Sequence, residues 1–270
     1  MSAMRTALAA VSLVLGLGFA AAGLWRLPAF GHYPGPYGDI LNAVGTNERH
    51  GTNIVTLVNF DYRGFDTLGE EYMLFAAVIG AVVLLREHRG EETTARPGKI
   101  SERPVPGRTD AVALGCRLAL GLTVVFGIYV VLHAQLTPGG GFQGGAIVGS
   151  AVSLLYLGLG YRVWRGLMKG VVLDAAEAVG AGAFVVAGLA AMAAGAPFLT
   201  NLLPLGKTGS IVSAGTVPLL NIAVGVAVST GFAVLFLEYL EETREPEGGD
   251  EASEPEGENQ ASEPEGENQE

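Results

Sequence analysis

Two long apolar runs, at 111–132 and 146–161, enclose a connection that carries no charged residue. Each run is long enough, or nearly so, to cross a hydrocarbon layer about 30 Å thick as an α-helix rising about 1.5 Å per residue. The connection reads TPGGGFQGG, and Pro138 interrupts a helix because proline lacks an N–H donor. Irregular backbone at membrane depth persists only where protein or a water-filled cavity satisfies it. The sequence therefore predicts a glycine-lined turn, Thr137–Gly145, tucked into a bundle of membrane helices.

The glycine spacing within this turn also matches the dinucleotide-binding fingerprint GxGxxG, at Gly139, Gly141 and Gly144. That motif requires a preceding β-strand, an amphipathic helix after it and an acidic residue about twenty positions on. Here membrane-length apolar runs flank the glycines, and no acid lies between Gln143 and Asp174. A nucleotide site is therefore excluded, and we expect no cofactor, no metal ion and no nucleic-acid partner.

The composition is that of a membrane protein, with 49% hydrophobic and only 16% charged residues. The net charge of −11 arises in segment 241–270, which holds 13 acidic residues and one basic residue and repeats ASEPEGENQ. A polar, charged segment without apolar residues predicts a disordered acidic tail. Its charge therefore carries no information about what the rest of the chain binds.

Four further apolar segments, 6–24, 72–85, 171–199 and 217–240, bring the predicted membrane helices to about six. For the first segment a cleaved signal peptide is the alternative. Its apolar region is too long for that, and the Trp25-Arg26 flank suits an interfacial anchor. The sequence thus predicts an all-α integral membrane protein.

Between the first two helices we expect a loop at 27–50 and a short amphipathic helix at 51–63. The helix is predicted from a polar stripe at three- and four-residue spacing: Asn53, Thr56, Asn59 and Arg63. Segment 64–71 then opens the next helix. Thr67 and Glu70 have capping-box spacing there, with Asp66 as the alternative cap.

Charged connections organise the rest of the chain. Segment 86–110 holds six basic residues and three prolines and predicts a linker between modules 1–85 and 111–240. The connection 162–169 and the segment 200–216 are expected to be loops. With six helices, eleven basic residues lie on the side of both termini and four on the opposite side. Because basic residues accumulate on the cytoplasmic side, both termini are predicted in the cytoplasm.

Two parts of the chain resemble subunits of the Mrp/Mnh-type multi-subunit cation/proton antiporters. Segment 53–85, with FDYRGFDTLGE at 60–70, resembles the C-terminal end of the A subunit, although Tyr62 is an extra residue relative to the family pattern. Segment 111–240 resembles the B subunit through TPGGGFQGG at 137–145 and GSIVSAGTVPLLN at 209–221. The same modules occur in membrane-bound hydrogenases.

This resemblance implies a multi-pass subunit of a complex that exchanges Na+ for H+ across the cell membrane and catalyses no chemical reaction. The large antiporter-like helices of the A subunit are absent, so other subunits of the complex and the lipid bilayer are the expected partners. The same architecture inside a redox-driven complex, such as a membrane-bound hydrogenase, is the alternative. A purely structural subunit that no ion contacts is a third possibility.

Candidate residues for ion translocation are the acids of the predicted membrane helices, since ionisable residues there default to functional hypotheses. Asp66 and Glu70 stand four apart and could present two oxygens to Na+, or they could cap a helix. Asp174 and Glu177 stand three apart and could instead stabilise a helix N-terminus. His133 could relay protons or bond to helix carbonyls.

The resemblance also falls on the turn itself. Pro138 and Phe142 are expected to fix the turn and to seat it against a neighbouring subunit. The glycines of this predicted structural interface are Gly139, Gly140, Gly141, Gly144 and Gly145.

Overall fold

A computed structural model describes residues 2–27, 31, 35–86, 105 and 107–242. These residues form nine α-helices and one π-helical segment: α1 (Ser2–Trp25), α2 (Tyr37–Arg49), α3 (Ile54–Leu57), the π-helical segment (Val58–Tyr62), α4 (Gly64–Arg86), α5 (Asp110–Leu132), α6 (Gly141–Leu159), α7 (Tyr161–Leu167), α8 (Gly170–Ala193) and α9 (Val217–Glu242). Helices α4, α5, α6, α8 and α9 have the length and hydropathy of membrane spans, and α1 contains the shorter apolar stretch Ala10–Trp25. The predicted fold class, an all-α membrane protein, is confirmed.

Helix α9 lies at the centre of the bundle. Helices α4, α6 and α8 pack on it, while α5 packs mainly on α6. Half of the residues in the most apolar stretch of α9 are buried, compared with 11% in the corresponding stretches of α4 and α5. The main core cluster joins α9 to α8 and to the segment before α4: Leu57, Phe60, Phe184, Ala214, Val217, Leu220, Val224 and Val228. A helix that is hydrophobic on all sides is expected to occupy such a central position.

Helix α6 approaches α9 through glycines at four-residue spacing: Gly141, Gly145 and Gly149. A Cβ atom on Gly145 would lie 2.8 Å from the Cβ of Val228, and one on Gly149 would lie 2.8 Å from the Cβ of Phe232. Such small residues on one helix face allow two membrane helices to pack with little separation. These three glycines therefore set the distance between α6 and α9.

The outer helices expose apolar side chains. On α1, Phe19 is 80% and Trp25 is 92% exposed, and on α5, Leu122 is 74% exposed. In a bilayer such faces contact lipid or other membrane proteins.

The predictions for the segment before α4 were wrong in two places. Residues 37–49 of the predicted loop form α2, which ends at His50 in the left-handed conformation with φ of 56°. Helix α4 begins at Gly64, so Thr67 lies inside it and donates its hydroxyl to the Asn59 carbonyl at 2.5 Å instead of capping. The buried hydroxyl thereby finds its hydrogen-bond partner in the π-helical segment.

Two connections also differ from the prediction or fall outside the described chain. The short helix α7 replaces most of the loop predicted at 162–169, whereas 200–216 contains no helix. Of the predicted linker 86–110, residues 87–104 and 106 lie outside the described residues. Residues 241 and 242 of the predicted disordered tail end α9, and the rest of the tail, from residue 243 onward, lies outside the described residues.

Candidate functional site

Asn53, immediately before α3, binds the glycine-rich turn. Its side-chain amide donates to the carbonyl of Ala134 at 2.8 Å and to that of Thr137 at 2.9 Å. The hydroxyl of Thr56 donates to the carbonyl of Gly139 at 3.3 Å. Because these carbonyls follow the end of α5, they have no helical partner and need donors from elsewhere. The segment resembling the A subunit thus supplies the donors that hold the turn of the B-like module.

Gln135 links the same turn to two other segments. Its carbonyl accepts from the backbone N–H groups of Thr52 at 2.9 Å and Asn53 at 3.2 Å. Its side-chain amide donates to the carbonyl of Ile211 at 2.7 Å, and the side chain is fully buried. Sequence reasoning missed Gln135. The sequence signal that could have indicated it is the amide side chain that stands between the apolar run 111–132 and the turn.

The turn is shorter than predicted, because α6 already begins at Gly141. Gly139, with φ of 147°, lies in the region that favours glycine, and a Cβ there would be 2.8 Å from the Val130 Cγ1. The backbone N–H of Gly141 donates to the Asn221 Oδ1 at 2.8 Å, and Asn221 is fully buried on α9. The side chain of Asn221 therefore caps α6 and joins the motifs at 137–145 and 209–221.

Phe142 and Pro138 lie in different environments. Phe142 is partly buried and packs against the core cluster of its own chain, whereas Pro138 is exposed. Gly144 faces α5, where a Cβ would lie 2.7 Å from the carbonyl oxygen of Gly127. The glycines after the turn thus contact α5 and α9 of this chain. Contact of the turn with a neighbouring subunit stays a prediction.

Asp66 and Glu70 do not lie together in the interior. Asp66 forms an ion pair with Arg63, with both side chains about half exposed, and Glu70 is exposed. The buried acid is the next residue, Glu71, which is 1% exposed. Sequence reasoning missed Glu71, although its spacing from Leu68 and Val78 places it on the apolar face of α4.

Glu177 and Asp174 also differ in burial. Glu177 is 5% exposed and Asp174 is half-buried. A Cβ on Gly231 of α9 would lie 3.2 Å from the Glu177 Oε1 and 3.3 Å from the Val78 Cγ2 of α4. The carboxylate of Glu177 therefore lies where α4, α8 and α9 meet.

His133 ends α5. Its Nδ1 lies 3.2 Å from the carbonyl oxygen of Tyr129, and its ring stacks on the Tyr129 ring with centroids 4.2 Å apart. The structure thus places the imidazole against a helix carbonyl, one of the two predicted arrangements.

A cavity of about 520 Å³ opens beside the π-helical segment and is lined in part by Arg49, Asp61, Arg63 and Asn201. Asp61 accepts from the Asn201 side chain at 2.8 Å and pairs with Arg49 at 3.2 Å. Asn201 also accepts from the backbone N–H of Thr216 at 2.8 Å, which fixes the start of α9. This polar network connects α2, the π-helical segment and the loop before α9.

The π-helical segment ends at Tyr62, the residue that the resemblance to the A subunit marks as an insertion. The N–H of Arg63 donates to the carbonyl of Val58, five residues back, at 2.7 Å. A π-bulge widens one helical turn and so holds one more residue. The Tyr62 hydroxyl donates to Glu48 at 2.6 Å. Burial, together with this carboxylate, raises the pKa of Tyr62 to about 12.

These features define a multi-pass helical membrane protein in which hydrogen bonds join an N-terminal module to a C-terminal helix bundle. Family models match both parts: a domain related to the MnhB subunit of Na+/H+ antiporter at 111–234, and the E subunit of MBH at 5–100. The uncharacterized protein MJ1307 of Methanocaldococcus jannaschii is 32% identical over 199 residues, covering 67% of this chain and 74% of that protein. The B subunit of the Na(+)/H(+) antiporter of Bacillus subtilis is 35% identical over 100 residues, covering 34% of this chain and 68% of that protein.

Two solved structures share the fold. A chain of the membrane-bound sulfane sulfur reductase, an archaeal respiratory membrane complex, matches with a TM-score of 0.64 and 28% identity, covering 88% of this chain and 98% of that chain. A chain of the Mrp complex from Dietzia sp. DQ12-45-1b matches with a TM-score of 0.64 and 25% identity, covering 92% of this chain and 27% of that chain. The chain belongs to the MnhB family of antiporter-type membrane subunits, and its residues 5–100 match the family model of the MBH E subunit.

Proposed function

We propose that this chain is a membrane subunit of a multi-subunit Na+/H+ antiporter, where it contributes to the ion passage and to assembly without catalysing a chemical reaction. The observation that carries the proposal is the burial of two carboxylates, Glu71 and Glu177, within helices of membrane-spanning length. An acid inside a membrane is costly, and such residues mark ion or proton routes. A bundle that served only as packing would be more stable with apolar residues at these two positions.

The need for partner subunits follows from the surface of the helices. The exposed apolar face of α5 and the exposed helix α1 offer large areas for other membrane subunits. The related antiporter B subunit and both solved structures come from multi-subunit assemblies. We therefore expect the chain to reach its active form only within such an assembly.

The proposal is tested with inverted membrane vesicles from cells that carry or lack the chain. Addition of NaCl to vesicles holding a proton gradient should release protons when the chain is present, measured with a pH-sensitive dye. Vesicles without it should lose this release, and re-expression of the chain should restore it. Equal proton release with and without the chain, while the other subunits remain at normal abundance, would contradict the proposal.

A second candidate is a membrane-arm subunit of a redox-driven complex. The specific observation is that the chain covers 98% of one chain of the sulfane sulfur reductase complex but 27% of the matched Mrp chain. In this case an electron donor, and not an imposed ion gradient alone, should drive ion movement in the same vesicles. Donor-dependent proton or Na+ movement that disappears with the chain would favour this candidate over the first.

A further inference from the structure

Glu71 of α4 is a buried acid. It is 1% exposed, and neither of its oxygens has a hydrogen-bond partner among the described residues. Leu68 and Leu74, three residues to either side on α4, pack against the main core cluster. A charged carboxylate in such surroundings is strongly disfavoured, because neither water nor a donor replaces its hydration.

The helices around Glu71 supply no compensating base. The sequences of α4, α8 and α9 contain neither Lys nor Arg before Arg86, the last residue of α4. The segments packed against α4 carry the following titratable groups: Asp61 and Tyr62 on the π-helical segment, Asp174 and Glu177 on α8, and Glu238, Tyr239, Glu241 and Glu242 on α9. None of these groups carries a positive charge. No basic residue of these described segments therefore neutralises a carboxylate inside this junction, which leaves a proton or another bound cation to do so.

Glu177 lies in the same junction, at a different depth. A Cβ atom on Gly231 of α9 would lie 3.2 Å from its Oε1 and 3.3 Å from the Cγ2 of Val78 on α4. Val78 stands seven residues after Glu71 on the same face of α4, which corresponds to about 10 Å along the helix axis. The two buried carboxylates are thus arranged one after the other along the line where α4, α8 and α9 meet.

We propose that Glu71 and Glu177 are two proton-binding positions on one route through this chain, with Glu71 as the site that sequence motifs do not mark. The inference rests on the proposed function. A proton is favoured over Na+ because a metal cation must replace its hydration shell with several oxygen ligands. The oxygens of Glu71 have no hydrogen-bond partner among the described residues, and a proton needs only one oxygen. Each transfer forms one O–H bond on the accepting carboxylate and breaks one on the donor, so no redox partner is required.

The test uses the complete complex in proteoliposomes and compares Glu71→Gln, Glu71→Asp and the control Asp39→Asn. Asp39 is an exposed acid in the first turn of α2. We expect Glu71→Gln to assemble normally and to lose Na+-dependent proton movement at least tenfold. Glu71→Asp, which retains a carboxyl group, should recover much of the rate, and Asp39→Asn should match the wild type. A Glu71→Gln complex with the wild-type rate would overturn the proposal.

A second measurement covers the case in which Glu71→Gln does not assemble. Infrared difference spectra of the wild-type complex, recorded across a pH step, should contain a protonated-carboxyl band that shifts in Glu71→Asp. Absence of any band that responds to this substitution overturns the proposal, whatever the transport result. The same spectra apply if the wild-type complex moves no Na+ or H+, a result that rejects the proposed function but leaves protonation at Glu71 to be decided.

The double variant Glu71→Gln/Glu177→Gln tests the shared route. If both acids lie on one path, the double variant should be no slower than the slower single variant, because blocking a path twice adds nothing. If the acids belong to separate parallel routes, each single variant should keep the flux of the other route, and only the double variant should lose both. A double variant much slower than either single variant would therefore reject the single route.

Discussion

Replacement of Gly144 by alanine tests the close packing of α5 and α6. A Cβ at this position would lie 2.7 Å from the carbonyl oxygen of Gly127 and 2.9 Å from the backbone nitrogen of Val131. Backbone atoms cannot rotate away, so the two helices must separate or shift. Overpacking of this kind costs about 1–3 kcal/mol.

The matched control is Gly121→Ala on α5, where no atom lies within 4 Å of the added Cβ. Both variants gain about 1 kcal/mol from the higher helix propensity of alanine. The difference between them therefore isolates the overpacking cost, and Gly144→Ala should be less stable than Gly121→Ala by about 1–3 kcal/mol.

The assay heats the detergent-extracted complex and measures how much stays monodisperse by size-exclusion chromatography. Gly144→Ala should lose its peak several degrees below Gly121→Ala, which should match or exceed the wild type. Equal midpoints for the two glycine variants would refute the contact between α5 and α6 as described.

Three further predictions concern the turn and the π-helical segment. Asn53→Ala removes the donors to the carbonyls of the turn and should destabilise the complex by about 1–3 kcal/mol, measured by the same thermal assay. Phe142→Ala should destabilise the complex by roughly 2 kcal/mol or more through lost core packing, which lowers the thermal midpoint and the yield of the complex. An unchanged yield and midpoint would contradict this packing. The pKa of Tyr62 is raised from 10.0 to about 12, so its stabilising effect should be present below about pH 10 and lost as pH rises through about 12. Tyrosinate absorbance should show one late-ionising group that Tyr62→Phe removes; a titration unchanged by Tyr62→Phe would refute the shift.

The membrane helices could be predicted because length and hydropathy alone identify them. Each of α4, α5, α6, α8 and α9 coincides with an apolar run that the sequence displays directly. Helix α2 could not be found this way, because it is short, polar and preceded by prolines. Its position depends on tertiary contacts with α3, which the hydrophobic pattern of its own sequence does not reveal.

The candidate site was predictable in its residue type but not in its position. Acids at the start of α4 were expected to matter, yet the exposed Glu70 was chosen and the buried Glu71 was missed. Neighbouring positions on a helix differ by about 100° in direction, so one residue decides between interior and surface. Only the packing of α4 on α9 fixes that direction.

We propose that this chain works as one subunit among several in an ion-transporting membrane complex. Its most direct test is gentle purification of the chain from native membranes, followed by mass spectrometry of the intact assembly and of its components. We expect a stable complex in which this chain accompanies other antiporter-type membrane subunits. Recovery of the chain alone, active in cation transport after reconstitution, would contradict it.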